Sequence, residues 1–354
     1  MIRIKVAILD ADSTYVERLA TAFNTNYQDK IEVYSFSDKN LALDAIDKNN
    51  IEVLIASERF EISAIEIPSK CAFAYFTEIN SVETVNGEKA ICKYQKVDLI
   101  YKEILAIFSE KSNYSVSING DAANRTPIKA FIAFAGGVGT STVAVAYATR
   151  CSHQGKKVFY LNLEEFGGAG LLLSGDGNMN LSDVIYSVKG RKSNLALKIE
   201  SAVKRNHNGV CYIDSANLPL DVAELNEDDV LTLIDTIVSM HEYDELILDF
   251  DFNINKLSKE ILLKSDEIIF VNDGSETANK KTINGINSLQ IIEKQMDTNI
   301  LAKSRLFYNK FSSKTGERIE NINIDVIGGS SKYEGYSSQQ ITENLSNIKE
   351  FDLI

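Results

Sequence analysis

The sequence predicts an α/β protein of two domains, each built on a mostly parallel sheet. Strand-like and helix-like patterns alternate over both halves of the 354-residue chain, which is typical of parallel α/β sheets. A polar segment without apolar periodicity separates the halves, and the chain length suits two domains. We therefore expect a first domain over residues 1–108, a linker over 109–127 and a second domain over 128–354.

Composition and charge narrow the possible functions. Hydrophobic residues make up 44% of the chain and charged residues 25%, as in ordinary globular proteins. No apolar run reaches the ~20 residues of a membrane span, and no signal-peptide pattern occurs, so we expect a cytoplasmic protein. The formal net charge of −13 opposes the phosphate neutralisation that nucleic-acid binding requires. We expect no nucleic-acid partner.

The first domain opens with the strand pattern KVAILDA and a helix whose apolar positions include Tyr15, Leu19 and Phe23. The strand IEVYSFS, a helix through Leu41 and Ala45, and the strand EVLIAS follow. Two more strand patterns are CAFAYFT and KAICKY, and the amphipathic helix VDLIYKEILAIF closes the domain. This succession of βα units predicts a flavodoxin-like sheet.

The ends of these strands carry polar residues that resemble those of the response-regulator receiver domain. Asp10 and Asp12 follow the first strand, where that family holds magnesium, while Thr77 ends the fourth strand and Lys93 the fifth. Ser57 stands where the family has its phosphoacceptor aspartate. Serine does not form an acyl phosphate, so we interpret the acidic pair and the lysine as a remnant polar cluster. The resemblance then implies a dimerisation or docking module.

The second domain begins with a strand, a glycine-rich turn and a helix, in the sequence PIKAFIAFAGGVGTSTVAVAYATR. The glycines at 136, 137 and 139 allow positive φ and close approach of a ligand to the backbone. Consecutive N–H groups can then form an anion-binding nest, to which the helix N-terminus adds partial positive charge. Strand, loop and helix in this order predict a phosphate-binding loop.

The stretch AGGVGTST resembles the deviant Walker A loop of the ParA/MinD family, KGGVGKTT. The resemblance implies ATP and Mg²⁺ as ligands, with the Ser141 hydroxyl on the metal and Thr142 at the α-phosphate. It assigns nucleotide binding to seven consecutive residues: Gly136, Gly137, Val138, Gly139, Thr140, Ser141 and Thr142.

Three positions of this loop depart from the family pattern. Ala135 replaces the lysine that reaches the nucleotide of a partner subunit, and Thr140 replaces the lysine that bridges the β- and γ-phosphates. Phe134 occupies the place of the first glycine in the general P-loop pattern. Loss of one arginine finger alone slows phosphoryl transfer by ~10³–10⁵. We therefore expect slow or absent hydrolysis, while backbone amides and Mg²⁺ retain nucleotide binding.

Further strand ends carry the remaining candidate residues. In the ParA/MinD family the second strand ends in a D-x-D pattern whose second aspartate orients the attacking water. Asn162 and Glu164 occupy these two places, so the resemblance implies Glu164 as the candidate catalytic residue. The strand YDELILDFDF resembles Walker B and implies Asp249 as the second metal-side residue, with Asp251 able to share the role. The strand SRLFYNKF implies Asn309 as an adenine contact.

A receiver-like domain before a lysine-poor Walker loop resembles the TadZ/CpaE family of Tad/Flp pilus localisation ATPases. The resemblance implies a homodimer that positions pilus assembly and secretion proteins, with any polar or membrane association made through partners. The tail SSQQITENLSNIKEFDLI carries apolar Ile341, Leu345 and Ile348 but is acidic. We expect a core-facing helix there and no direct membrane insertion.

Two other functions remain open. An active ParA-like DNA-partitioning ATPase needs the lysines that Ala135 and Thr140 replace, together with a basic surface. A phosphorelay response regulator needs an acceptor carboxylate where Ser57 stands.

Overall fold

The computed structural model describes residues 3–111 and 125–354, and its contacts divide the chain into two units. The first unit holds the described residues up to 111 together with Lys192–Ser201, and the second holds the remaining described residues. The segment 192–201 therefore groups with the first unit, although its sequence position lies within the predicted second domain. Most of the predicted linker falls on residues 112–124, outside the described residues, and the predicted domain boundaries remain a prediction.

The first unit contains a six-stranded sheet in the order β2-β1-β3-β4-β6-β5. Every pairing is parallel except that of β5 with β6. Its strands are β1 (Ile4–Leu9), β2 (Ile31–Phe36), β3 (Val53–Ser57), β4 (Ala72–Thr77), β5 (Thr84–Val85) and β6 (Glu88–Cys92). Its helices up to residue 111 are α1 (Ser13–Asn26), α2 (Lys39–Lys48) and α3 (Val97–Lys111). The flavodoxin-like sheet that the sequence predicts is confirmed.

Two connections of this unit lack an α-helix in the described residues. Between β3 and β4 the chain makes 3-10 turns at Glu58–Phe60 and Ala64–Glu66, and between β4 and β6 it makes a hairpin through β5. Asn86 and Gly87 form the hairpin turn with φ of 52° and 84°. Asn-Gly is a strong hairpin signal. The sequence interpretation of continuous βα units overlooked it.

A helix from later in the chain, α7 (Leu195–Ala202), packs within the first unit's hydrophobic core through Leu197. Its Glu200 accepts hydrogen bonds from Lys30 Nζ at 2.5 Å and from the Tyr101 hydroxyl at 3.0 Å. Because Leu197 is only 8% exposed, this segment completes the unit's apolar face. Its sequence position alone does not indicate that assignment.

The second unit contains an eight-stranded sheet in the order β14-β13-β12-β7-β11-β8-β10-β9, parallel except for β9 against β10. Its strands are β7 (Ile128–Ile132), β8 (Val158–Asn162), β9 (Lys204–Arg205), β10 (Cys211–Tyr212), β11 (Glu245–Asp249), β12 (Glu267–Asn272), β13 (Ser304–Phe311) and β14 (Asp325–Ser331). The mostly parallel sheet of the predicted second domain is thereby confirmed. Strands β7, β8 and β11 lie side by side at its centre, so their carboxyl ends meet at one edge.

The second unit contains eight α-helices within the described residues. They are α4 (Thr140–His153), α5 (Ala169–Leu172), α6 (Leu181–Lys189), α8 (Pro219–Ala223), α9 (Glu227–Ser239), α10 (Lys256–Lys264), α11 (Glu276–Met296) and α12 (Ser338–Ser346). Helix α12 places Leu345 in the core, fully buried, with Ile348 packed against it. The apolar stripe predicted in the tail faces the core.

No helix within residues 3–111 or 125–354 combines the length and apolarity needed to cross a membrane.

Candidate functional site

The glycine-rich loop joins β7 to α4 and presents its backbone to a cleft. Gly137 and Gly139 have φ of 80° and 89°, which favours glycine because other residues rarely adopt the left-handed region. Gly139 is the N-cap of α4 and makes no side-chain capping bond. The first N–H groups of a helix lack intrahelical acceptors and therefore suit an anion. Val138 is buried and anchors the loop in the core.

Two residues near the end of β13 hold the loop from its side. Asn309 Nδ2 donates to the Val138 carbonyl at 2.8 Å, and its Oδ1 accepts from Ser330 Oγ at 3.0 Å. A Cβ on Gly139 would lie 2.5 Å from Asn309 Nδ2, so a side chain at 139 has no room. Lys310 Nζ donates to the Gly137 carbonyl at 2.9 Å. The predicted adenine contact of Asn309 remains a prediction.

Phe134, which occupies the place of a P-loop glycine, packs inward. Its ring makes edge contacts with Phe252 and Phe270 at centroid distances of 5.3 and 5.1 Å. Helix α11 makes room for it at Gly285, where a Cβ would lie 2.1 Å from the phenyl ring. The aromatic residue therefore fixes the start of the loop to the sheet.

The carboxyl ends of β8 and β11 form a buried polar cluster around Asp249, which is 1% exposed. Asp249 Oδ2 accepts from the Tyr160 hydroxyl at 2.7 Å and from Asn162 Nδ2 at 3.0 Å. Asp249 Oδ1 is buried and has no hydrogen-bond partner within residues 3–111 and 125–354. A buried carboxylate oxygen without a partner is costly, so its retention indicates a site for a ligand.

Burial, together with the negative charge of Glu164, raises the pKa of Asp249 to about 7. Hydrogen bonds from Tyr160 and Asn162 and the nearby Ser141 hydroxyl act in the opposite direction, because they favour the charged form. Burial also raises the pKa of Tyr160 well above its ordinary value, so its hydroxyl stays a donor.

Glu164 lies between this cluster and the loop. Its carboxylate oxygens are 3.3 and 3.4 Å from Ser141 Oγ, and Glu164 Oε2 accepts from Asn162 Nδ2 at 2.9 Å. The structure therefore brings together three residues that the sequence singled out separately, namely Ser141, Glu164 and Asp249. Their assigned catalytic and metal-binding roles remain predictions.

The cleft in front of the loop has a volume of about 640 Å³ and an acidic lining. Four carboxylates line it, from Glu164, Glu165, Asp249 and Asp251. Lys310 is the single lysine or arginine among the described residues that line it. The predicted loop residues Val138 and Thr142 do not line the cleft, and neither does Asn309.

The geometry fits a magnesium-bound nucleotide. The left-handed glycines leave the loop backbone open to phosphates. Ser141 Oγ lies beside Glu164, and Asn162 donates to both Glu164 and Asp249. No three Asp, Glu, His or Cys side chains in the described part of the chain are placed to hold a metal by themselves. Mg²⁺ commonly binds through one or two carboxylates, waters and substrate phosphates, so such a cage is unnecessary.

The corresponding sheet edge of the first unit is internally paired. Lys93 Nζ lies 2.8 Å from Asp10 Oδ2 and 4.6 Å from the centre of the Tyr15 ring. Asp10 Oδ1 accepts from the Asp12 N–H at 2.9 Å, and Asp12 caps α1 by accepting from the Tyr15 N–H. Ser57 ends β3 and is buried. Asp10 therefore has a partner on both oxygens.

Sequence reasoning missed several residues that shape the site. Tyr160 sits within β8, two positions before Asn162, and its spacing would have placed it on the same side of the strand. Lys310 directly follows Asn309, yet nothing in the sequence indicates that its side chain reaches the glycine loop. The pairing of Phe134 with Gly285 joins residues far apart in the chain.

Comparisons with known proteins match the two predicted domains separately. Residues 2–109 match the family model described as TadZ-like, receiver domain. The crystal structure of a ParA family ATPase from Chlorobium tepidum TLS matches with a TM-score of 0.51 at 18% identity, covering 65% of this chain and 96% of that chain. This level of identity shows the fold alone. No curated protein sequence matches the chain.

Two MinD structures match with lower TM-scores. The MinC:MinD cell division protein complex of Aquifex aeolicus gives a TM-score of 0.48 at 14% identity, over 62% of this chain and 86% of that chain. The septum site-determining protein MinD with Mg-ADP from Pyrococcus horikoshii OT3 gives 0.47 at 16% identity, over 62% and 94%.

Proposed function

We propose that this chain, which carries a TadZ-like receiver domain followed by a domain with the ParA-type fold, is a dimeric cytoplasmic scaffold that binds Mg-ATP. In this proposal it positions a Tad-type pilus assembly and secretion machinery and turns ATP over slowly or not at all. Its nucleotide site is the cleft at the glycine loop. The proposal follows from the family match of the first domain and from the site of the second.

The observation that carries nucleotide binding is the pairing of an open glycine loop with a buried, partly unsatisfied Asp249. The loop supplies backbone N–H groups to phosphates, and the carboxylate faces the place where a cation would balance them. Ser141 and Asp249 would hold Mg²⁺, in keeping with the oxygen ligands that this ion prefers. The magnesium structure of one weak match, MinD with Mg-ADP, agrees with this ligand class.

Slow turnover is expected from the charges that line the cleft. A bound Mg²⁺ neutralises phosphate charge, but phosphoryl transfer also needs cations placed where charge develops in the transition state. The loop offers Ala135 and Thr140 at the two lysine positions, and four carboxylates face the cleft. Glu164 can orient a water molecule from its place beside Ser141. Without a cation on the loop, orientation of the water molecule alone gives only slow ATP hydrolysis.

A dimer is supported by apolar side chains exposed around the site. Phe166 is 83% exposed and lines both the nucleotide cleft and an adjoining cleft that includes Pro219. Leu171 and Leu220 are also exposed, at 77% and 69%. Exposed apolar patches of this kind mark interaction surfaces. A second copy covering this face would place the nucleotide near the interface.

The test is calorimetric titration of the nucleotide-stripped full chain with Mg-ATP, with steady-state phosphate release measured on the same sample. We expect saturable binding and turnover far below ~1 s⁻¹. A Gly137→Asp chain serves as the control, because it puts a carboxylate and a strained positive φ into the loop. Sedimentation of the same samples, with and without nucleotide, reads the oligomeric state.

Each outcome has a definite meaning. Binding that the Gly137→Asp control abolishes supports a working phosphate loop. No binding by a well-folded sample overturns the nucleotide part of the proposal and leaves a scaffold without a ligand. Turnover of ~1 s⁻¹ or faster overturns slow hydrolysis and revives the active partitioning ATPase. A monomer under all conditions overturns the dimer.

A further inference from the structure

The packing of Phe134 links three parts of the second unit. Its ring lies 5.3 Å from the Phe252 ring and 5.1 Å from the Phe270 ring, measured between centroids. Phe270 is fully buried in β12, whereas Phe252 is half-buried in the segment that follows β11. Phe134 and Phe252 both line the nucleotide cleft. The ring of Phe134 therefore connects the start of the glycine loop to the segment after Asp249.

Helix α11 accommodates this ring at Gly285, which is buried near the middle of the helix. Its φ is not positive, so the backbone conformation there does not require glycine, and glycine lowers helix stability relative to alanine. A Cβ at 285, however, would lie 2.1 Å from Phe134 Cδ1 and Cε1 and 2.6 Å from its Cγ. Because Cγ is the fixed base of the ring, the whole ring would have to move. Phe134 and Gly285 are therefore a pair matched in size.

The segment after β11 lies at the rim of the cleft and is mostly exposed. Among residues 251–254 the side chain of Phe252 is half-buried, and the other three residues are exposed. Asp251 Oδ2 accepts from the Glu165 N–H at 3.2 Å. A segment with few buried apolar side chains opens readily. The contact of Phe252 with Phe134 is therefore the apolar anchor of this segment.

We propose that Phe134 is a positioning residue, which packs between Gly285 and Phe252 and holds the glycine loop and residues 251–254 in one arrangement before nucleotide binds. This inference rests on the proposed nucleotide site and names the residue that pre-forms it. The general P-loop pattern has glycine at this position, which allows many backbone conformations. A phenylalanine confined by three neighbours restricts them. A loop that is ordered in advance loses less conformational entropy on binding.

The first test is hydrogen exchange, read by mass spectrometry, on the nucleotide-free full chain. Phe134→Ala should raise the exchange rate by about 10-fold or more both in the loop, residues 134–142, and in residues 251–254. Gly285→Ala should produce the same pattern from the opposite side, because the new methyl group displaces the ring. The second variant leaves Phe134 in place and adds a good helix former, so it does not depend on the folding of a chain with a cavity.

Phe159→Ala is the matched control for a loss of core packing. Phe159 is fully buried, its ring lies 4.8 Å from the Tyr243 ring, and it is outside the cleft lining. This variant should lower the stability of the second unit but leave the exchange of the loop and of residues 251–254 unchanged. Its affinity for Mg-ATP should equal that of the wild type.

The second test is calorimetric titration of the same chains with Mg-ATP. Phe134→Ala and Gly285→Ala should each weaken binding by about 10-fold, because the loop must then be ordered on binding. The double variant should bind no more weakly than Phe134→Ala does, since the methyl group at 285 then meets no ring.

Several outcomes would overturn the inference. One is unchanged exchange of residues 251–254 in Phe134→Ala, and another is an equal change in Phe159→Ala. Affinity losses that add in the double variant would mean that residues 134 and 285 act independently, which also overturns it. Absence of Mg-ATP binding by the wild-type chain overturns the proposed function instead, whereas exchange in the nucleotide-free chains tests the positioning role alone.

Discussion

Each of the two sheets has a buried aspartate at the carboxyl end of one strand, and the partners of these two carboxylates differ. In the first unit Asp10 pairs with Lys93 at 2.8 Å, and both side chains are about 95% buried. In the second unit Asp249 accepts hydrogen bonds from Tyr160 and Asn162, and its other oxygen has no partner among the described residues. The first aspartate is neutralised by a lysine, whereas no described lysine or arginine pairs with the second.

This difference in charge compensation distinguishes a remnant site from a site that can bind a ligand. Both residues lie at the carboxyl end of a parallel strand, Asp10 directly after β1 and Asp249 as the last residue of β11, at the edge where α/β sheets bind ligands. Position alone therefore does not distinguish them. Charge compensation within the protein distinguishes them. A buried charge that already has its partner is stabilised little by a metal ion, whereas an uncompensated buried charge is stabilised strongly.

The largest expected effect comes from breaking the compensated pair. Asp10→Asn leaves the Lys93 ammonium group buried with no counter-charge, and it places an amide donor against that cation. We expect the free energy of opening of the first unit to fall by about 3 kcal/mol. Hydrogen exchange read by mass spectrometry on the full chain reports this for the peptides of residues 3–111 separately.

Two further variants check that charge compensation is responsible. Asp12→Asn should cost at most about 0.5 kcal/mol, since Asn and Asp are equally good N-caps and Asp12 is exposed. Adding Lys93→Met to Asp10→Asn should recover part of the loss, because no buried charge then remains. If Asp10→Asn destabilises no more than Asp12→Asn does, the pair is not the compensated cluster described here.

The opposite sign is expected for Asp249→Asn. The carboxyl ionises near its ordinary pKa of 3.8 in the unfolded chain and near about 7 in the folded chain. The folded state therefore binds more protons between these values, and stability falls as the pH rises from about 4 to about 7. The Asn variant lacks this loss. At about pH 8 it should gain roughly 2 kcal/mol in the free energy of opening of the second unit.

This gain must be read in metal-free, nucleotide-free buffer, because a bound cation would relieve the same strain. At about pH 4 most of this difference should be gone, since Asp249 is then protonated in the folded chain and about half protonated in the unfolded chain. The matched loss is in function, because the variant should bind Mg-ATP more weakly than the wild type. A variant that is less stable than the wild type at about pH 8 would show that the carboxylate is compensated after all.

Most of the fold was predictable, because periodicity and glycine chemistry are local in sequence. The strand–loop–helix at 128–153 and the helix α1 lie where the apolar patterns indicated them. The hairpin at Asn86-Gly87 was missed although its signal is local. The packing of Leu197 in the first unit was beyond prediction, because it depends on a contact between segments far apart in the chain.

The residues of the candidate site likewise fall into those that the local sequence predicts and those that it does not. Residues at strand ends, such as Glu164 and Asp249, were identified because parallel strands bring their ends to one edge. The contact of Lys310 with the Gly137 carbonyl depends on a positive φ and a shift in register at the end of β13. Neither feature can be predicted from a lysine in a strand pattern. The unpartnered Asp249 oxygen is a property of three-dimensional packing alone.

The smallest expected effect concerns phosphorylation of the first unit, where we expect none. Acyl-phosphate formation needs a carboxylate nucleophile and a metal ion, but Ser57 offers a buried hydroxyl and Asp10 is already paired with Lys93. Treatment of the full chain with acetyl phosphate and Mg²⁺ should therefore leave its intact mass unchanged. A Ser57→Asp chain is the informative companion, since it restores the carboxylate but not a free Asp10.

A phosphoryl group on the wild-type first domain would revive the phosphorelay regulator. Phosphorylation of Ser57→Asp alone would show that Lys93 releases Asp10 readily, and the contrast between the two aspartates would then be one of degree.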